Sequence, residues 1–208
     1  MELRGSCDSL KSFPLDLFPK LQTLKLIDCN NLEEISVSVG HHYSLTNLYI
    51  RKCPKFVWFP EGGFSAPELV LCCFEEMKNL KWLPHNMHIL FSSLAYLVIK
   101  CCPQVESFPE GSFPSDLIYL DVLECPKLVA SRMGWHLNSH TKLQFLGIGD
   151  ADDESLPDVG LLPSTLKCLV IQYGLWAVPC SKSGSRNKKE IIGQRFLTPL
   201  LSALKIII

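Results

Sequence analysis

The chain contains none of the short motifs that mark several common classes of functional site. It has no Gly-x-x-x-x-Gly-Lys-Ser/Thr loop, so a cradle for nucleotide phosphates is not indicated in these residues. It has no Cys-x-x-Cys pair, which excludes the usual spacing of a zinc finger. It has no Asn-x-Ser/Thr sequon, which disfavours a glycosylated, secreted protein. The apolar stretch 196–208 is short and interrupted by Lys205, so we expect no membrane span.

Net charge is also low, and it is unevenly distributed. The total is −1, but residues 180–208 hold six basic residues against one glutamate, a balance of +5 that leaves −6 for the rest. Binding to a phosphate backbone requires a basic face. The acidic body therefore argues against nucleic acid as a ligand. The basic end is more typical of a solvated terminus than of a site for an anionic surface.

One pattern does run through the chain, the phrase Leu-x-x-Leu-x-Leu-x-x-Cys. It returns about every 24 residues, a period and spacing that are typical of leucine-rich repeats. The clearest copies are Leu21–Leu24–Leu26–Cys29, Leu45–Leu48–Ile50–Cys53, Leu94–Leu97–Ile99–Cys102 and Leu117–Leu120–Val122–Cys125. Looser copies begin at Leu69, Leu143 and Leu166. Repeats of this kind are binding surfaces far more often than enzymes.

The spacing has a physical reason. In each copy two leucines alternate with other residues, as in a strand that points the leucines inward. One such coil cannot bury its own apolar face, so it must stack on its neighbours and form a continuous parallel sheet. The sequence therefore predicts an α/β fold, a leucine-rich-repeat solenoid or horseshoe with a parallel concave sheet and an irregular, loop-rich convex side. We expect about seven to eight coils in residues 1–173, then a degenerate repeat and basic C-terminal tail in 174–208.

Cysteine follows the same period. The chain has ten cysteines, of which Cys7, Cys29, Cys53, Cys102 and Cys125 occupy one repeat position. This spacing predicts a column of buried free thiols rather than a disulfide framework. The opening residues MELRGSCDSL have neither the basic start nor the apolar core of a secretory signal. We therefore expect a reducing, cytoplasmic compartment.

Candidate binding residues follow from the outward positions of the strands. In register, these positions form columns across the concave face, and Tyr96, Tyr119 and Phe145 come from successive repeats. Aromatic residues with arginine and lysine nearby are the types that dominate interface energies. We predict a protein-binding surface, with the alternative that the three rings merely cover the sheet. The predicted residues are Thr23, Lys25, Asn47, Tyr49, Arg51, Tyr96, Lys100, Tyr119, Asp121 and Phe145.

Catalytic and metal sites are weakly indicated. His136 and His140 lie four residues apart, but no second cysteine stands at finger spacing, so loop histidines are favoured over a zinc site. A nucleophilic cysteine would have to be outward-facing, with Cys73, Cys101 and Cys168 as candidates. We expect no catalytic residue, metal or cofactor in this chain.

The amino-acid sequences of the repeats resemble those of a known family. Segments such as SCDSLKSFPLDLFPKLQTLKLIDCNNLEEI, LYIRKCPKFVWFPEGGF, LVIKCCPQVESFPEGSFPSDL and GLLPSTLKCLVI resemble the leucine-rich-repeat region of plant intracellular nucleotide-binding disease-resistance proteins of the coiled-coil class. The resemblance covers residues 1 to about 173. It implies a module that recognises a pathogen effector or a guarded host protein, and that restrains the receptor's own nucleotide-binding switch.

The printed sequence departs from that family in one respect. It contains no part of the nucleotide-binding module, so ATP or ADP would belong to that absent module and no nucleotide-binding residue is carried over. It is therefore expected to be a truncated product. The alternative function is the substrate-recognition solenoid of a ubiquitin-ligase adaptor. That alternative needs a three-helix adaptor-binding segment, which these residues do not contain.

Overall fold

The structure of the chain is a computed structural model. It describes residues 1–5, 9–38, 40–57, 59, 63–109, 113–151 and 162–173. The region 174–208, predicted to be a degenerate repeat and a basic tail, lies outside the described residues, as do Cys7 and Cys180.

One parallel sheet of eight strands dominates the described part of the chain, with few helices, so the fold is α/β. In spatial order its strands are β1 (Glu2–Arg4), β3 (Thr23–Ile27), β5 (Asn47–Arg51), β6 (Leu71–Glu75), β7 (Tyr96–Lys100), β8 (Tyr119–Leu123), β9 (Phe145–Ala151) and β10 (Cys168–Tyr173). Each strand after β1 coincides with one copy of the repeat. Consecutive repeats are neighbours in the sheet, as the period predicts.

The segments between these strands return the chain to the end of the sheet where the next parallel strand begins. Their described residues include a second, two-stranded parallel sheet of β2 (Ser12–Pro14) and β4 (Glu34–Ser36), two short α-helices and three 3-10 turns. The helices are α1 (Met87–Leu90) and α2 (Pro126–Ala130), and the turns cover Leu15–Leu17, Arg132–Trp135 and Leu137–Ser139. Parallel strands require such returns, and each described helix or turn in them is only three to five residues long.

The inner face of the sheet forms the core. Leu24, Leu48, Leu97 and Leu120 are fully buried at one repeat position, and Cys72 takes the same position in β6. Phe56, Phe59, Phe64 and Phe74, together with Phe91, fill the space between the sheet and the returns, and several of their rings lie 5.2–6.4 Å apart. The repeat spacing thus stacks equivalent side chains against each other from coil to coil.

The cysteine column is present where it is described. Cys53 donates from Sγ to the Arg51 carbonyl at 3.3 Å and lies 3.7 Å from the Leu26 carbonyl of the preceding strand. Cys29, Cys102 and Cys125 make the same pair of contacts. Met77 occupies the corresponding position after β6 and is fully buried. Each thiol therefore joins two neighbouring coils, and none of the described cysteines forms a disulfide.

A left-handed corner follows each of the first six strands of the main sheet, from β1 to β8. The residues with positive φ are Gly5, Asp28, Lys52, Glu76, Cys101 and Glu124. The first five donate their backbone N–H to the last carbonyl of the next strand at 2.9–3.0 Å. A positive φ is unfavourable for residues other than glycine. Here it adds one hydrogen bond to each of the first five strand pairs. After β3 to β8, the residue that follows the corner is buried in the core.

Candidate functional site

The outward face of the sheet carries the predicted binding residues. Strand pairing aligns Thr23 with Asn47, Leu71 with Tyr96, and Tyr96 with Tyr119 and then Phe145. The Tyr96 and Tyr119 ring centroids are 6.1 Å apart, and those of Tyr119 and Phe145 are 4.1 Å apart with ring planes within 6°. The structure therefore brings the three predicted rings into one row. Their role in binding stays a prediction.

These rings are less exposed than the sequence suggested. Tyr96 and Tyr119 are half-buried, and Phe145 is only 9% exposed. The expectation of three exposed rings is wrong for Phe145, because Tyr119 lies flat against it. Phe145 thus packs against the flat face of the Tyr119 ring.

A second column lies beside the first. Lys25 Nζ is 5.4 Å from the centroid of the Tyr49 ring. Tyr49 packs with Leu71 and Cys73 in a small cluster that also contacts Tyr96 and Val98, and this cluster is separate from the main core. These side chains make the middle of the outward face apolar on the central strands.

At the start of β3 and β5 the outward residues are polar instead. Asn47 Nδ2 donates to Thr23 Oγ1 at 3.4 Å and to Thr46 Oγ1 at 2.9 Å. Thr46 in turn donates from Oγ1 to the Gln22 carbonyl at 3.0 Å. These hydrogen bonds hold Thr23 and Asn47 in place at the polar border of the apolar face.

Charged residues of the outward face are arranged as ion pairs. Arg51 Nε lies 2.7 Å from Glu75 Oε2 on the next strand. Lys100 Nζ lies 2.9 Å from Asp121 Oδ2. Lys25 is 3.9 Å from Glu2. The predicted binding residues Arg51, Lys100 and Asp121 thus already have partners within the chain.

Asp121 is buried, although its strand position predicts an outward side chain. It is 5% exposed. Its cross-strand neighbour on β9 is Gly147, and a Cβ at Gly147 would lie 2.2 Å from Asp121 Oδ1. Because Gly147 has no side chain, the Asp121 carboxylate can fill the space beside it. Its carboxylate faces Lys100 and Tyr119, and its role in binding stays a prediction.

The Asp121 environment shifts the titration of its neighbours. Burial first, and then the negative charge of Asp121, raise the pKa of the Tyr119 hydroxyl, which donates to Asp121 Oδ2 at 3.4 Å. Burial alone would lower the pKa of Lys100, but the Asp121 carboxylate outweighs it and the net pKa is raised. The Tyr119 hydroxyl and the Lys100 ammonium therefore keep their protonated forms around neutral pH. Asp121 and Lys100, which we call the Asp121 unit, form a stable hydrogen-bonded support for Tyr119.

The three cysteines considered as nucleophiles differ in environment. Burial raises the pKa of Cys73 to about 12, and it also raises the pKa of Cys168. A nucleophilic cysteine needs a lowered pKa and access to solvent, so these shifts run in the opposite direction. Cys101 is half-buried, and its Sγ donates to Glu124 Oε2 at 3.3 Å.

Metal ligands do not converge in the part of the chain that the structure describes. No group of three or more His, Cys, Asp or Glu residues there could hold an ion. His140 packs its ring 5.2 Å from Phe113, and burial lowers its pKa. His136 has a left-handed backbone between two 3-10 turns, so the two histidines do not share a helix. Among the described helices, none is long and apolar enough to cross a membrane.

The residues predicted from the sequence leave out three contributors to the candidate site. Val98 and Leu71 complete the apolar face beside the tyrosines, and Gly147 makes room for Asp121. Alternation and register were enough to find Val98 and Leu71, since they stand at outward positions of β7 and β6. Nothing in the spacing signals the role of Gly147, which depends on the direction taken by a neighbouring carboxylate.

Comparison with known proteins adds one relative. Over 192 residues, 90% of this chain, the sequence is 39% identical to the Arabidopsis thaliana protein named "Putative disease resistance protein At3g14460". The chain spans 13% of that relative's length. No protein family model matches the chain, and no solved structure matches it. The chain is therefore related to one region of a much longer plant protein.

Proposed function

We propose that residues 1–173 form a leucine-rich-repeat solenoid that acts as a protein-recognition and regulatory module in plant defence, as part of a nucleotide-binding immune receptor. The repeat in the sequence and the in-register parallel strands support the solenoid. The similarity to the Arabidopsis disease resistance protein supports the defence role. It favours that role over the substrate-recognition solenoid of a ubiquitin-ligase adaptor, the alternative from sequence.

The observation that carries the proposal is the row of rings on the outward face. Tyr96, Tyr119 and Phe145 are not needed to fill the core, which lies on the other side of the sheet. Aromatic residues held in fixed positions are characteristic of interface centres, because little side-chain entropy is lost when a partner docks. The partner is a protein: a pathogen effector, a guarded host protein or the receptor's own nucleotide-binding module.

The module itself is not an enzyme in this proposal. Two of its three candidate cysteines have raised pKa values, which supports a structural role for them. ATP or ADP would bind to the nucleotide-binding module, outside these residues, and no cofactor acts here. The module acts in the cytoplasm, which the free thiols support.

A pull-down tests the regulatory part of this proposal. The full chain is immobilised, and the probe is the Arabidopsis relative with the matched 192 residues removed. A Tyr96→Ala/Tyr119→Ala double variant tests the outward face. Ile89→Ala is the matched control, because Ile89 is an apolar side chain 65% exposed on a return segment. A thermal unfolding transition like that of the unaltered chain shows that the sheet is intact in each variant.

We expect the unaltered chain and the Ile89→Ala variant to retain the probe. The double variant should lose about 1–4 kcal/mol of binding free energy, the range of an aromatic hot spot. Equal retention by the double variant would contradict placement of the binding site on the outward face. No retention by the folded, unaltered chain would contradict regulation through the rest of such a receptor and leave an effector or host protein as the partner.

A further inference from the structure

The centre of the outward face is a group of apolar side chains, three of them half-buried and three only 7–9% exposed, which we name the apolar strip. It consists of Tyr49, Leu71, Tyr96, Val98, Tyr119 and Phe145. Strand pairing puts these side chains on five neighbouring strands, from β5 to β9. Neighbouring members of the strip pack against one another across the strands.

The charges around the strip are neutralised within the chain. The guanidinium of Arg51 is paired with Glu75 at 2.7 Å, and the ammonium of Lys100 with Asp121 at 2.9 Å. Glu75 also lies close enough to Lys100 to raise its pKa. A charged group on a partner would have to displace one of these pairs. Displacement would leave a carboxylate or an ammonium without its partner, which is costly where the site is desolvated.

The Asp121 unit supports the strip without contacting a partner. Asp121 is buried, fills the space above Gly147 and accepts a hydrogen bond from the Tyr119 hydroxyl. The hydroxyl is thereby turned along its own strand, and the Tyr119 ring is held flat against Phe145. Asp121 and Lys100 are positioning residues, and the rings are the contact surface.

From the apolar surface and the internally paired charges, we propose that the apolar strip receives an uncharged apolar segment of a partner protein, one rich in aromatic and aliphatic side chains. This inference rests on the proposed function, and it names the chemistry of the partner at that site. Binding is driven by burial of apolar surface and by the low entropy cost of an ordered receptor face. It depends little on salt, because no unpaired charge of the strip takes part.

Selection from a random peptide library displayed on phage tests the proposal. The full chain is the target, and binders to the Tyr96→Ala/Tyr119→Ala variant are first removed. The selected peptides should be rich in aromatic and aliphatic residues with a net charge near zero. Their affinity should fall at least about tenfold in the double variant. It should change by less than about threefold between about 50 mM and about 500 mM NaCl.

Two further variants keep the test decisive. If the double variant does not fold, Val98→Lys replaces it, because a lysine at this half-buried position puts a charge in the middle of the strip. An Arg51→Gln/Glu75→Gln variant removes a neighbouring ion pair and should leave peptide affinity within about threefold. A loss larger than this would overturn the proposal, since it would give the paired charges a direct part in binding.

Other outcomes also overturn it. Selected peptides that are acidic or basic, or whose affinity falls steeply with salt, would show that the partner is charged. Failure to select any peptide that needs the tyrosines would remove the strip as a docking site. Self-association of the full chain that is lost in the double variant would make a second copy the occupant. If the Arabidopsis probe is retained only when the strip is intact, but the selected peptides are charged, only the proposed chemistry of the partner would be overturned. If apolar peptides are selected but the Arabidopsis probe is not retained, the strip would remain a docking site and regulation of the receptor would be rejected.

Discussion

The two faces of the main sheet follow different rules. On the inner face similar apolar residues return from repeat to repeat: mostly leucine, isoleucine or valine in the strand, with Cys72 and Phe74 in β6, and then a buried cysteine or methionine after each strand from β3 to β8. On the outward face the residues change from coil to coil, as in the column that runs from Thr23 through Leu71 to Phe145. Only the inner face is constrained by stacking against identical neighbours.

The comparison shows where function can be encoded. A side chain on the inner face must fit the coil on each side, so its identity is fixed by the fold. A side chain on the outward face must fit only its neighbours on the surface, so it is free to vary with the partner. The aromatic row and its ion pairs lie on this second face. Variants of adjacent residues on opposite faces can therefore separate stability from binding.

The largest difference is expected between two consecutive residues of β7. Leu97→Ala, on the inner face, should lower the free energy of unfolding by about 2–5 kcal/mol, because it leaves a cavity in a close-packed core. Val98→Ala, on the outward face, should cost less than about 1.5 kcal/mol. Urea denaturation of both variants measures the difference. Equal losses would contradict the separation of the two faces.

High pH should destabilise both faces through groups that must stay neutral. Burial raises the pKa of Cys53 on the inner face and of Cys73 on the outward face from 9.0 to about 12. Because the folded pKa is higher, the stability from each neutral thiol is complete below pH 9.0 and is lost as pH rises towards about 12. The full shift corresponds to at most about 4 kcal/mol per thiol.

Unfolding free energies measured by urea between pH 8 and about 11 should fall less steeply in Cys53→Ala and Cys73→Ala than in the unaltered chain. A pH dependence that both variants leave unchanged would show that these thiols are not the buried neutral groups responsible.

Gly147→Ala tests the space that Asp121 occupies. The new Cβ would meet Asp121 Oδ1, so we expect a loss of about 1–3 kcal/mol of unfolding free energy. Gly134→Ala is the matched control, because no heavy atom lies within 4 Å of a Cβ there. Adding Asp121→Ala to Gly147→Ala should cost less than the sum of the two single changes. Strict additivity would contradict contact between the two positions.

The smallest effect is expected at the Arg51–Glu75 pair. Both side chains are partly exposed, at 29% and 22%. Pairs with access to solvent contribute little, so a double-mutant cycle with Arg51→Ala and Glu75→Ala should give a coupling below about 1 kcal/mol. Denaturation in low and high salt measures it. A much larger coupling would mean that this ion pair stabilises the fold as strongly as the inner face does.

Much of the fold could be predicted from the sequence. The leucine spacing locates β3, β5, β7 and β8, and a period near 24 residues sets their register, because a constant repeat length aligns equivalent positions. The parallel pairing and the buried cysteines follow from the same regularity. The small sheet of β2 and β4 could not be predicted in this way, because the return segments differ in sequence from coil to coil.

The candidate site could be predicted only in part. Alternation and register bring Tyr96, Tyr119 and Phe145 together without any knowledge of side-chain conformations. The burial of Asp121 could not be found from the same pattern, which makes it an exposed acid. It depends on a contact with Lys100 of the neighbouring strand and on the missing side chain at Gly147. Such contacts are specific to one pair of coils.

Hydroxyl-radical footprinting tests the central claim most directly, since it reports the solvent access of individual side chains. The full chain is labelled alone and in complex with the Arabidopsis probe or with a selected peptide. Trp82 and Met133, which are 53% and 56% exposed on return segments, serve as internal references. The account predicts that oxidation of Tyr96 and Tyr119 falls in the complex while Trp82 and Met133 are unchanged. Protection of Trp82 or Met133 with no change at the two tyrosines would contradict recognition by the outward face of the sheet.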